Sequence, residues 1–288
     1  MRHGIVLILL FISSTLFAQQ NSLLWKISGH GLSSPSYIYG TIHSFDKRAF
    51  TFKLLAENYI KETKAFGMEI KLDELNPFSL LGQLQMPGDT TIKMLLNESE
   101  YTKLEKILRD SFQIELTMFS TIKPMFLVGL LEMPSGEPVE TNSDFLDEYL
   151  MNQAKKLNKE VIGIETVEEQ LHAVDLIPLK EQAKMLVDEL VTPDSTHPPL
   201  QDLLDVYSIG NLDSLYSYYQ QGELSNTFNK ALVLDRNHRM ADRIDSIAKK
   251  KSIFVAVGAL HLPGEEGVLN LLRKKGYDIT PVYYKKEN

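Results

Sequence analysis

The sequence predicts an α/β (α+β) fold in which two related strand-Gly-x-x-His halves share a central sheet flanked by helices, with a helical region in the middle. Three observations carry this reading. Apolar, β-prone runs near both ends finish in the same way, as "YIYGTIH" (Tyr37–His43) and "FVAVGALH" (Phe254–His261). The last forty residues read strand, helix, strand, which requires a crossover over one face of a sheet. Between the ends, apolar residues recur at helical rather than strand spacing.

The elements follow in order. Leu23–Ile27, with the only tryptophan at Trp25, is a first strand, and the Gly-Ser-Pro turn Gly29–Pro35 folds it back onto Tyr37–Tyr39 as a hairpin. Phe52–Thr63 has helical spacing, and "KAFGMEIKL" (Lys64–Leu72) returns as a strand. Leu75–Leu84 is an apolar run flanked by loops. In "ESEYTKLEKILRDSF" (Glu98–Phe112), Leu104, Ile107 and Leu108 form an apolar stripe beneath charges, as in a surface helix. Lys123–Leu131 is a helix that tolerates Pro124 in its first turn. Ser143–Leu157 is another, capped by Asn142 or Ser143 and ended by Asn158. "KEVIGIE" (Lys159–Glu165) is a short buried strand, followed by helices over Val167–Ala173 and Leu179–Leu190. "TPDSTHPP" (Thr192–Pro199) is a loop. Short helices over Leu200–Tyr207 and Leu212–Tyr219 lead to a helix that begins at "RNHRM", with Met240, Ile244 and Ile247 on its inner face.

A chain of 288 residues with 43% hydrophobic content can bury a large core. We read Met1–Ala18 as a signal peptide and 19–288 as a single domain: Met1-Arg2-His3 is basic, Gly4–Ile12 is apolar, and Ser13–Ala18 is mostly small, with Leu16 large near the expected cut. The apolar stretch is too short for a bilayer core of about 30 Å, and no second run reaches that length. The expectation is an exported protein, periplasmic or secreted, with no stable membrane span once the signal is removed. A net charge of -8 argues against nucleic acid as a partner, since phosphate binding needs a basic stripe. With no cysteine, disulfides, thiolate metal sites and Cys nucleophiles are excluded.

Several residues could carry chemistry. A strand delivers His43 and His261 just beyond its carboxyl end, where open α/β sheets place ligand crevices, and glycine lets the backbone approach a neighbour there. Glu69, expected inside the "FGMEIK" strand, and Glu165, ending "VIGIE", are carboxylates that burial penalises unless they are paired or bound to metal. Arg236 and Arg239 share one face of a helix start beside Asn237, although a helix N-terminus disfavours cations, so they call for an anion to answer: Glu69, Glu165 or a substrate oxygen. His30, His172 and His197 read as solvent-facing or packing residues, and His238 as an optional supporting group. Gly-x-Ser-x-Gly, His-Glu-x-x-His and the glycine-rich phosphate loops are absent.

In this order the motifs resemble the TraB/GumN family, whose animal relatives include the Tiki metalloproteases. The matching stretches are "LLWKISG…PSYIYGTIHSFD", "AFGMEI", "VIGIETVEEQ", "RNHRMADRI" and "FVAVGALHLPGEEGVLNLLRKKGYDITPV", covering nearly all of Leu23–Val282. The resemblance implies a metal-dependent hydrolase acting on peptide bonds of a peptide or protein substrate. It implies His43 and His261 as metal ligands and Glu69 as a third ligand or general base. It also implies that Arg236, Asn237 and Arg239 orient carboxylates or polarise the scissile carbonyl. The divalent ion has N and O ligands only, which admits Zn, Mn or Co alike. The alternatives are a metal-free, esterase-like hydrolase with a histidine base, and a non-catalytic protein that sequesters a peptide or haem.

Overall fold

The computed structural model describes residues 22–71, 82–131, 145–191, 200–221 and 225–283. The expected signal peptide Met1–Ala18, most of the apolar run Leu75–Leu84, the expected caps Asn142 and Ser143, and the expected loop 192–199 with His197 lie outside these residues.

Six strands form one mixed sheet in the order β4-β3-β5-β2-β1-β6: β1 Leu24–Gly29, β2 Ser36–Thr41, β3 Ala65–Met68, β4 Glu160–Gly163, β5 Ile253–Gly258 and β6 Tyr277–Val282. The predicted hairpin is present, with Trp25 opposite Ile38. Gly29, His30 and Gly31 all take positive φ in its turn. β2, β5, β3 and β4 run parallel. β1 alone is reversed, because β6 pairs antiparallel with it. The C-terminal crossover therefore exists, but it carries the chain from β5 past β2 and β1 to the far edge.

Helices cover both faces, as the all-apolar reading of β2, β3 and β5 requires. Tyr37 packs on Tyr59 of α1 (Lys53–Glu62). Its neighbour Ile38 points the other way, on the face where Trp25 lies under the Arg273 guanidinium of the helix between β5 and β6. The long mid-chain helices are α2 (Glu98–Phe112), α3 (Pro124–Leu131), α4 (Leu146–Lys156), α5 (Val167–Asp175) and α6 (Leu179–Leu190). An Asn97–Glu100 capping box starts α2, and Asn158, at φ 54°, follows the end of α4. Leu104, Leu108, Leu116, Leu127 and Leu186 form a second apolar cluster apart from the sheet.

Further on, α7 (Leu200–Ser208) and α8 (Leu212–Gln221) precede a correction. The helix expected to start at Arg236 does not start there. A helical turn α9 (Asn226–Asn229), capped by Ser225, runs without a break through a π-helical segment, Lys230–Leu234, into α10 (Asp235–Ala248). Arg236 and Arg239 thus lie inside a continuous helix, so the dipole argument against cations at its end does not apply. The last helix is α11 (Val268–Lys274).

Gly40 explains the first Gly-x-x-His glycine. A Cβ there would lie 2.9 Å from the Ala259 Cα and 3.0 Å from Leu262 Cδ1, in the turn that carries His261. The strand bearing one histidine is packed against the turn bearing the other. Gly40→Ala is expected to destabilise the fold by about 1–3 kcal/mol, because backbone cannot yield as a side chain can. Urea denaturation checks this, and an unchanged midpoint would show that the two units do not press on each other.

Candidate functional site

Register brings the candidate residues to one end of the sheet. β2 and β5 are adjacent and parallel, with Thr41 opposite Gly258, so His43 and His261 emerge two and three residues beyond paired positions. On the other side of β5, β3 and β4 end at Met68 and Gly163, themselves opposite one another. Glu69 was expected inside a strand but lies one residue past its end. Two further backbone bonds, Ile164 N–H to Met68 O and Glu165 N–H to Glu69 O (both 2.7 Å), set Glu69 beside Glu165.

The two carboxylates meet one guanidinium. Arg236 Nε donates to Glu165 Oε2 at 2.9 Å, and Nη2 donates to Glu69 Oε2 at 2.6 Å. Arg239 Nη2 reaches Glu165 Oε1 at 3.1 Å, and Gln170 Nε2 donates to both glutamates at 3.2 and 3.4 Å. The Glu165 side chain is 0% exposed. An acid so placed is tolerable because each oxygen meets a cation or an N–H. The anions that Arg236 was expected to answer are therefore both Glu69 and Glu165. The next turn repeats the device: Arg243 forks onto Glu169, with both contacts at 2.6 Å.

Glu69 Oε1 accepts the Gly258 N–H at 2.7 Å, and His261 Nε2 stands 3.9 Å from the same oxygen. Burial pushes the Glu69 carboxyl up, but at the acid pH where it titrates the charge of a protonated His261, the Arg236 guanidinium and the Gly258 N–H outweigh it and hold it at about 2. Burial also pushes His261 down, against the pull of Glu69. Near neutral pH the pair is thus a carboxylate beside a neutral imidazole, and Arg236 with the Gly258 N–H keeps Glu69 ionised.

Both histidines are held from behind. His261, with a side chain 10% exposed, faces Asn237 Oδ1 through Nδ1 at 2.7 Å. An amide oxygen can only accept, so Nδ1 carries the proton and Nε2 keeps its lone pair. Asn237 in turn donates Nδ2 to the Glu266 carbonyl at 2.9 Å. His43 is 71% exposed, with Nδ1 3.1 Å from Asp147 Oδ2. That contact is at ion-pair distance but not aligned as a hydrogen bond, and Asp147 Oδ1 accepts from the Thr41 hydroxyl. Metal-binding histidines commonly have a carboxylate or carbonyl oxygen beside one ring nitrogen and ligate through the other.

Imidazole nitrogens and a carboxylate oxygen, the donor types at this sheet end, suit a divalent ion. Even so, among the described residues no group of three or more His, Asp or Glu side chains is gathered closely enough to hold one. The His43 ring lies out toward solvent on Asp147, and Glu69 is drawn to Arg236. Of the other histidines, His30 is exposed and stacks edge-on with Tyr277, His172 is exposed, and His238 pairs with Glu266 at 2.7 Å. Asp147 and Gln170 were not singled out from sequence. Gln170 stood within the quoted "VIGIETVEEQ", whereas Asp147 had no motif to mark it.

The sequence profile of the TraB/PrgY/gumN family matches residues 23–281, and the chain belongs to that family. It is 25% identical to "Metalloprotease TIKI1" of Xenopus tropicalis, over 91% of this chain and 62% of that protein. It is 23% identical to "Metalloprotease TIKI1" of Homo sapiens, with 91% and 62% covered. It is also 24% identical to "Uncharacterized protein YbaP" of Shigella flexneri, with 83% and 88% covered. The chain spans about three fifths of the length of the metalloproteases it matches. No solved structure matches it.

The paired carboxylates make two expectations. Arg236→Ala leaves Glu69 and Glu165 short of their shared cation and should cost about 3–5 kcal/mol by urea denaturation, more than the loss of a surface arginine. Glu69 and Glu169 both titrate at about 2 in the folded protein against an ordinary 4.5. With folded values below unfolded ones, their stabilisation is full above pH ~4.5 and is lost as pH falls toward 2. The urea midpoint should fall between pH 5 and pH 2.5, less steeply in Arg243→Met. A flat profile would contradict the assignment.

Proposed function

From its membership of the TraB/PrgY/gumN family, we propose that the chain is a metal-dependent hydrolase of peptide bonds, working in an extracytoplasmic compartment on a peptide or protein substrate. The observation that carries this reading is that His261, fixed through Nδ1 on Asn237, and His43, at ion-pair distance from Asp147, leave the sheet at the end where Glu69 sits. The metalloprotease names of the animal relatives support it.

His43 and His261 are assigned as ligands through Nε2, with Glu69 Oε1 as third ligand or as the base that takes a proton from water. A divalent ion held there would acidify a bound water and polarise the scissile carbonyl. The remaining residues act on these three. Arg236 spends its donors on Glu69, Glu165 and the Leu232 carbonyl, which supports a role in orienting carboxylates. Arg239 steadies Glu165, Asn237 fixes the His261 tautomer, and Asp147 orients His43. Export rests on Met1–Ala18, and the domain is assigned to 19–288.

One observation favours a second reading. The neutral His261 imidazole beside an ionised Glu69 is also a base for a metal-free, esterase-like hydrolase. The assay separates the two. Purified protein incubated with mixed peptides should cut them when Zn, Mn or Co is supplied and stop when a chelator is added. His43→Ala and His261→Ala should abolish cutting, and Asp147→Ala should reduce metal affinity or rate by about 10–100-fold. Cutting that survives both chelator and His43→Ala would overturn the metal reading. Stoichiometric peptide or haem binding without products would overturn hydrolysis.

A further inference from the structure

Beside Asn237 lies a cavity of about 330 Å³ between α8, the π-helical segment and the loop Leu260–Gly267. We propose that this cavity is a subsite for one basic side chain, lysine or arginine, of the substrate. The inference rests on the hydrolase reading for its place beside the scissile bond, but not for the ligand chemistry.

Position comes first. Asn237 lines the cavity and also holds the His261 ring at 2.7 Å. A side chain seated there is one residue removed from the Glu69–His261 pair. Size is next: the volume is at the low end for ligand pockets, and it suits a single long side chain better than an extended organic ligand.

Charge and surface then choose the side chain. Among the described residues the lining holds no Lys, Arg or His, but it includes Glu265 and Glu266. Glu266 already pairs with His238 and Lys274, while the exposed Glu265 carboxylate adds a negative charge with no ion pair among the described residues. Tyr216 and Tyr219 line it with rings stacked 6.1 Å apart at 20°, and tyrosine faces attract cations. Leu260, 37% exposed next to His261, and Pro263 offer apolar surface to a methylene stem. The walls are fixed. Tyr219 donates to Asn229 Oδ1 at 2.6 Å, and the Tyr216 hydroxyl lies where a Cβ on Gly264, at φ +90°, would be 2.4 Å away.

The test pairs a binding measurement with a cleavage map. N-acetyl-arginine amide and N-acetyl-norleucine amide are titrated against the whole protein by saturation-transfer NMR, in wild type, Glu265→Gln and Tyr219→Leu. In parallel, a mixed peptide library is digested and its cut sites are read by mass spectrometry. The arginine compound should bind at least about fivefold more tightly, and the preference should shrink in both variants. Cut sites should be enriched in Lys or Arg at one position flanking the broken bond. Equal binding of the two amides, a preference untouched by both variants, or cut sites indifferent to charge would overturn the subsite. A library left uncut while the amides still discriminate would overturn hydrolysis and keep the cation site.

Discussion

Arg236 is caught between two carboxylates that the sheet has already fixed, and the rest of the site follows from that clamp. Glu69 and Glu165 are joined through the backbone past the ends of β3 and β4, so their side chains cannot separate. Two acids side by side at a buried edge would repel each other or take up a proton. One guanidinium with donors to both removes that conflict, and Arg239 and Gln170 fill the remaining positions. Such a cluster adds little net stability compared with an apolar replacement of the same shape, because each charge was taken out of water. What it fixes is arrangement. Glu69 is held ionised, with one oxygen turned to the Gly258 N–H and the His261 ring.

The strands supply the other half. Because β5 lies between β3 and β2, and all three run parallel, residues distant in the chain leave the sheet at one end. The two glycines meet their neighbours differently. At Gly40 the backbone of the His261 turn comes too close for a Cβ, and at Gly258 a Cβ would stand 3.2 Å from the Glu69 carboxylate. The Gly-x-x-His repetition thus brings two neighbouring units into close packing, with one imidazole exposed and the other buried.

Much of this was legible in the sequence because it is written in local pattern. Apolar runs closed by glycine marked β2 and β5, helical spacing marked α2 and α10, and a glutamate within one apolar run and at the end of another marked Glu69 and Glu165. What escaped depends on distant partners. Asp147 sits in the first turn of α4, where an acid is ordinary, and only the fold brings it to His43. The π-helical segment has no composition of its own, so the helix seemed to begin at Arg236 when it begins ten residues earlier. The crossover from β5 to β6 was visible, but not the two strands it passes, since strand order is set by pairing rather than by any one segment. The expected ligands lie at one sheet end, yet His43 leans on Asp147 and Glu69 on Arg236, contacts that no spacing rule predicts.

The central claim is that one ion draws His43 and His261 together at the end of the sheet. X-ray absorption at the zinc edge, on protein loaded with one equivalent of zinc, tests it most directly. The account predicts imidazole scattering from both rings with N/O distances near 2.0–2.2 Å, and loss of one ring's contribution in each of His43→Ala and His261→Ala. A zinc shell without imidazole, or one unchanged by both substitutions, would contradict it.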